Sequence, residues 1–379
     1  MQRILKKGVL VDQTSTLHRQ LVSILVVDGR TREVSDRDLT KDYPQAEVLD
    51  LQGQCISAGW IDVHVHCFQG AWNAAVNPDR IGVESGVTML IDAGSSGADT
   101  VEAFLNELRQ QKTKVRAFLN ISKVGLTTLH ELRSIDDIDL KKAVAAVRQY
   151  PDFIVGLKLR ASASVMGEDL QTPFTRAKEI QKEVHKPLMV HVGNYPPSLD
   201  EILDSLEAGD IVTHCFNGKS NGLFVDGKIR TSAKQARERG VLFDVGHGSA
   251  SFDYTVAAQA KEHGFAPDMA GSDLYSKNLH GPVYSLAHVM SKMIELGYDV
   301  DEVIAWNTCR AADALQLKDY GRVEAGKCAD FTVFREVERT SEILDSEGHR
   351  ITLHRQVVPS FVMIDGEWME VTYGNEEHL

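Results

Sequence analysis

Between Ile56 and Asp273, short apolar runs alternate with longer amphipathic stretches, the pattern that yields a parallel sheet with helical crossovers. The apolar runs predict eight strands, near 60–66, 87–93, 115–121, 153–160, 188–193, 211–214, 241–245 and 269–273. They recur at intervals of roughly 20 to 40 residues, the length of a βα unit, so the α/β chain is expected to close into a (β/α)8 TIM barrel over residues 56–320. Helical material is clearest at 198–208, where Ser198 is placed to cap, Glu201 follows three residues on, and Ile202, Leu203 and Leu206 form a stripe.

Outside this repeat the patterning changes. Runs at 8–11 and 21–27, with turn signals at Asp28-Gly29 and Gln52-Gly53, read as strands. The same style returns at 329–334 and 357–364, followed by Asp365-Gly366. A small β-sandwich module assembled from both chain ends, residues 1–55 and 321–379, is therefore expected beside the barrel.

Composition narrows the class. With 379 residues, 43% hydrophobic and 25% charged, the chain has a globular balance. It has no apolar run of spanning length, and no apolar stretch of signal-peptide length follows Met-Gln-Arg-Ile-Leu-Lys-Lys, so a cytoplasmic protein without membrane association is expected. A formal net charge of -13 argues against a nucleic-acid surface, which works through clustered cations. Cys55, Cys67, Cys215, Cys309 and Cys328 are odd in number and form no C-x-x-C pair, which fits a reducing compartment. Cys67 and Cys215 adjoin histidines, so a catalytic thiol stands beside the commoner role of small buried filler.

The sharpest chemical signal is Gly59-Trp-Ile-Asp-Val-His-Val-His66. On a strand, His64 and His66 share a face while Ile61, Val63 and Val65 take the other. Alone, an H-x-H more often marks ordinary polar residues on a wet strand face than half a metal site. His191, His214 and Asp273 also close predicted strands, where barrel active sites lie. Four imidazoles and a carboxylate on strand ends one, five, six and eight together imply a metal. Lys158 belongs to the inward face of the fourth run with Gly156 and Arg160. A desolvated lysine readily becomes a neutral amine, which can add carbon dioxide to form a carbamate able to bridge two cations; taken alone, the position is better explained by a lysine that pairs with a nearby carboxylate or snorkels to solvent.

The order H-x-H, strand-four Lys, single His, single His and strand-eight Asp resembles the binuclear branch of the amidohydrolase superfamily. Asp92-Ala-Gly-Ser-Ser-Gly97, Gly156-Leu-Lys-Leu-Arg160, Thr213-His-Cys-Phe-Asn-Gly218, Asp244-Val-Gly-His-Gly-Ser249 and Gly271-Ser-Asp-Leu-Tyr275 are similar to a deacetylase-like subgroup related to dihydroorotase and D-aminoacylase. The resemblance runs from Ile56 to Gly321-Arg-Val-Glu-Ala-Gly-Lys-Cys-Ala-Asp330 and departs at Ala58, where the family commonly has Pro. It implies one divalent ion on His64, His66 and Asp273, a second on His191 and His214, and carboxylated Lys158 between them, with zinc the best-suited ion.

The expected activity is a metal-dependent hydrolase that cleaves an acyl amide or acyl ester of a small carboxylic or amino acid through a metal-bridging hydroxide, with Asp273 as general base and acid. Cyclic-amide hydrolysis, of the dihydroorotase or hydantoinase type, and a non-catalytic scaffold are the rival readings. Arg160 is the candidate for a substrate carboxylate, balanced against a structural ion pair. Asn194, Asn217, Tyr275 and Asn278 are polar candidates on the loops after the ligand positions, with His247 behind them and Trp72 and Phe68 as walls. A homo-oligomer is implied by the resemblance alone.

Overall fold

The computed structural model describes residues 1–167 and 169–373. Residues 374–379, the end of the expected terminal module, lie outside the described residues. The chain opens with strands β1 (Gln2–Leu10), β2 (Leu21–Val27), β3 (Arg30–Ser35), β4 (Glu47–Asp50) and β5 (Cys55–Ala58). Asp28 and Gly29 both take positive φ, 48° and 76°, the I′ form whose twist suits an antiparallel pair, and Val27 faces Arg30 across the turn. β5 passes into β6 (Trp60–Val65) through Gly59, where a Cβ would lie 2.1 Å from Thr88 Oγ1, so only hydrogen fits.

β6 is followed by β7 (Val87–Ala93), β8 (Lys114–Asn120), β9 (Ile154–Ala161), β10 (Leu188–Val192) and β11 (Ile211–Thr213). After a short hairpin, β12 (Phe224–Val225) and β13 (Lys228–Ile229), comes β14 (Leu242–Asp244). β6 to β11 and β14 pair in chain order, all parallel, as the apolar runs predict. The eighth run differs, because its segment makes only single parallel bridges, Asp244 to Met269 and Val65 to Leu274. Buried carboxylates explain why. The amides of Gly271 and Ser272 donate to Asp244 and Asp62 at 2.6 and 3.0 Å instead of to a ladder, and Asp273 turns to φ 52°. The two bridges still touch both edges of the seven-stranded sheet, which curls into a barrel.

Helices cover the outside. Ala177 and Ile180, Ile202 and Leu203, and Ala233 and Ala236 pack in one core with Leu157, Val190 and Val212 of the strands. Burying an isoleucine or leucine side chain of this kind contributes about 1.5–3 kcal/mol, and an alanine less, which is why the helical stripes face the sheet. The predicted 198–208 helix runs Leu199–Asp204, with Ser198 and Glu201 in a reciprocal capping box.

At the other end of the chain, β15 (Phe331–Leu344), β16 (Arg350–Ile364) and β17 (Glu367–Glu370) join the N-terminal strands in one sheet. Its order is β17-β16-β15-β5-β1-β2-β3, with β4 beside β1. The β15–β16 hairpin is longer than its apolar runs, since pairing continues out to Leu344 and Arg350 through charged residues such as Glu338 and Glu342. Its tip reaches the barrel, where Ser346 N donates to the Phe252 carbonyl at 3.1 Å and Asp345 accepts from Tyr254 N at 2.9 Å. Among the described residues no helix is long and apolar enough to cross a membrane.

Candidate active site

The six predicted ligand residues, His64, His66, Lys158, His191, His214 and Asp273, line one cavity of about 220 Å³. His64, Lys158 and His191 lie on parallel strands whose two-residue alternation turns them inward, while His66 and His214 lie just past strand ends and Asp273 at the end of the eighth run, the last two at positive φ. Three imidazoles are oriented through Nδ1. His64 Nδ1 donates to Thr213 Oγ1 at 2.8 Å, and that hydroxyl donates to Asp244 at 2.7 Å. His66 Nδ1 meets Ser95 Oγ at 2.9 Å, and His214 Nδ1 donates to the Gly246 carbonyl at 2.6 Å. Such bonds fix the tautomer and leave Nε2 as the free donor atom. Asp273 Oδ1 lies 3.3 Å from His66 Nε2 and 3.6 Å from His64 Nε2. The rings of His191 and His214 meet edge to face at 4.4 Å.

Burial sets the protonation states. It holds His64 and His191 well below the usual histidine range, helped by Lys158 at His64 and by His214 at His191, and it brings His214 down to about 4. Neutral imidazole is the ligating form. Lys158 is 1% exposed, and burial lowers it to about 7, with Arg160 acting the same way against the pull of Asp273 and Asp244. Its Nζ contacts His64 Nε2 at 3.4 Å and Met189 Sδ at 3.3 Å, and among the described residues it has no ion pair. Among the described residues no carboxylate pairs with it in the way that would account for an ordinary buried lysine. Neutral imidazoles, a carboxylate and a readily deprotonated amine are a donor set that suits a divalent cation. Three of the six, His64, His214 and Asp273, have ligand atoms within 4.8 Å of one another. This grouping draws one histidine from each half of the implied binuclear arrangement.

The structure sorts the remaining candidates. Arg160 lines the cavity and pairs with both oxygens of fully buried Glu131 at 3.1 Å. Tyr275 also lines it, with its hydroxyl 2.7 Å from Ser249 Oγ and its ring 5.0 Å from Trp72. Trp72 forms a wall, whereas Phe68 stacks on Phe104 in the core. Asn217 and Asn278 have side chains engaged with backbone: their Nδ2 atoms donate to the carbonyls of His214 at 2.8 Å and Asp273 at 2.9 Å. They brace the ligand loops. Asn194 is exposed, its amide donating to Ser162 Oγ at 3.1 Å, and it is not among the cavity-lining residues. Lys292 Nζ donates to His247 Nε2 at 2.7 Å, away from the cavity. Burial pushes the Cys67 and Cys215 thiols well up, opposing the thiolate a nucleophile requires.

Sequence reasoning passed over Thr213, Ser95, Glu131, Leu126 and Leu129, and gave no role to Asp62, Asp92 or Asp244. The three carboxylates did leave a signal. Asp62 shares the alternation of His64 and His66, and Asp92 and Asp244 stand next to last in predicted runs, close to the end position that Asp273 takes in its own.

A family model described as Amidohydrolase family matches residues 55–369. A deacetylase of Enterococcus faecalis is 42% identical over 94% of this chain and 98% of its own length. A deacetylase of Brucella anthropi is 37% identical over 85% and 81%. A crystal structure of an adenine deaminase superposes with a TM-score of 0.92 at 38% identity, covering 97% of this chain and 99% of that one. A crystal structure of a dihydroorotase gives 0.91 at 33%, covering 98% of each. The chain belongs to the amidohydrolase family and has its TIM-barrel type of fold. It is accordingly an enzyme, a hydrolase that acts on a small-molecule substrate.

Proposed function

We propose that this hydrolase removes the acyl group from a small acylated carboxylic or amino acid, cleaving an amide or ester, with two divalent cations held by His64, His66, Lys158, His191, His214 and Asp273. The observation that carries this reading is the convergence of these six donors on one cavity. The deacetylase relatives support the acyl transfer. Bound there, the cations, zinc fitting imidazole and carboxylate donors best, supply Lewis acidity at the scissile carbonyl and make water a nucleophile near neutral pH.

The chain's own groups do the rest. Lys158 takes part as a carbamate: its neutral nitrogen bonds to the carbon of carbon dioxide and loses one proton, leaving an anionic group with two oxygen donors. Asp273 accepts the proton of the attacking water and returns it to the departing nitrogen or oxygen. Arg160 receives the substrate carboxylate, with Glu131 holding its guanidinium in place between turnovers. Trp72, Leu126 and Leu129 give the substrate an apolar wall and exclude water.

A second reading, hydrolysis of a cyclic amide, is favoured by the likeness to the dihydroorotase structure. A screen of N-acyl amino acids, O-acyl hydroxy acids and cyclic ureides, run with metal analysis of the purified protein, separates the two. Turnover confined to ureides replaces the deacylase, and less than one metal per chain in zinc-supplemented preparations removes both.

We read residues 56–320 as the catalytic unit, with the terminal sheet as a small β-sandwich of residues 1–55 and 321–379. A separate apolar cluster of Leu10, Ile24, Phe331, Val333 and Met363 supports that division. A cytoplasmic homo-oligomer completes the reading. Sedimentation of the native enzyme tests its assembly.

A further inference from the structure

Lys292 is fully buried on the helix Leu286–Glu295, and the site chemistry leaves it without a role. Its Nζ has three acceptors from three separate parts of the chain: His247 Nε2 at 2.7 Å, the Pro282 carbonyl at 2.6 Å and the Leu344 carbonyl at 2.9 Å. Three acceptors match the three protons of an ammonium. Because Lys292 donates to Nε2, the other ring nitrogen of His247 carries the proton and donates to the Gly248 carbonyl at 2.9 Å. The same carbonyl accepts from Ser346 Oγ at 2.8 Å, at the tip of the β15–β16 hairpin.

The loop held in this way touches two ligand residues. The Gly246 carbonyl accepts from His214 Nδ1 at 2.6 Å. Gly248, at φ +55°, lies so close to Asp273 that a Cβ would come within 2.4 Å of Oδ2. One three-residue loop thus sets the ring of His214 and backs the carboxylate of Asp273.

We propose that Lys292 and Ser346 are positioning residues that act through His247, clamping loop 246–248 so that His214 and Asp273 keep their places at the metal centre. The inference rests on the metal-site reading above. It makes the terminal hairpin part of the active-site support, although no residue of the hairpin enters the cavity.

The test uses the full-length enzyme with cobalt(II) loaded in place of the native metal, because cobalt's visible absorption reports on ligand geometry independently of turnover. Ser346→Ala and Lys292→Met are each expected to lower kcat by about 10- to 100-fold, the range seen when groups supporting metal ligands are removed, with KM within twofold and a shifted cobalt spectrum. His247→Gln, which keeps an acceptor for Lys292 and a donor for Gly248, is expected to recover most of both. Folded variants with the parent spectrum overturn the proposal, whether or not kcat falls, because His214 and Asp273 have then not moved. If Lys292→Met does not fold, Ser346→Ala at the hairpin tip decides. Should the parent enzyme turn over no acyl or cyclic substrate, the proposed function fails while the spectra of the variants still decide this inference.

Discussion

Asp273 has the one carboxylate within 4 Å of both His64 Nε2 and His66 Nε2 among the described residues, so ligation and proton transfer meet on a single side chain. Asp273→Asn keeps an oxygen donor and loses the base, so we expect it to retain most of its metal in elemental analysis while kcat falls by about 10²- to 10⁴-fold. Thr213→Val breaks the hydroxyl link between His64 and Asp244 without removing a ligand, and metal titration is expected to show affinity weakened by about 10- to 100-fold. For Lys158, metal-free enzyme should regain activity faster when zinc is added together with bicarbonate, and equal rates with and without it would exclude a carbamate. At this scale the ligand positions are readable in the sequence because strand alternation and strand ends are local properties. Thr213 and Glu131 are not readable in that way. Thr213 matters through His64, 149 residues away, and Glu131 through Arg160, 29 residues on and beyond the helix Leu140–Gln149.

Among the elements, those made by apolar periodicity follow the sequence closely, and those made by polar pairing do not. β7 spans the predicted 87–93 run, and the other regular barrel strands end within a few residues of expectation. The eighth run loses its ladder because Asp62 and Asp244 capture its amides, an outcome that depends on which carboxylates are buried beside it. The far half of β15–β16 is hidden for a related reason. Its cross-strand pairs carry charge, and a search for apolar runs steps over them. The helix Leu199–Asp204 was legible through its cap, and Ser198→Ala should lower stability by about 1 kcal/mol, read by chemical denaturation, with kcat unaltered.

Across the whole molecule, the buried histidines give the metal-free protein a defined response to acid. His64, His191 and His247 are held well below 6.5 in the fold, and His214 and His288 fall to about 4 and about 3. Below pH 6.5 the unfolded chain binds protons at these positions that the native state refuses, so stability drops as pH falls. Asp62 and Asp244, raised to about 7 and about 6 by burial, work in the opposite sense, since the native state keeps protons there that the unfolded chain has released. Burial also raises Asp268 and Asp330, which act in that same opposite sense, and the five histidines outweigh the four carboxylates. The apo protein should therefore lose thermal stability between pH 7 and pH 5, each net proton costing about 1.4 kcal/mol per pH unit. A melting temperature that stays level or rises on acidification in a chelated sample would contradict this balance.

β5 lies between β1, its neighbour in the N-terminal segment, and β15, which begins at Phe331. On a ribosome, the first strands must therefore wait through synthesis of the entire barrel before the partner for that edge emerges. An unpaired edge held open for so long invites pairing with other nascent chains. Chains that terminate early, ahead of Phe331, should consequently collect in aggregates even where their barrel has formed.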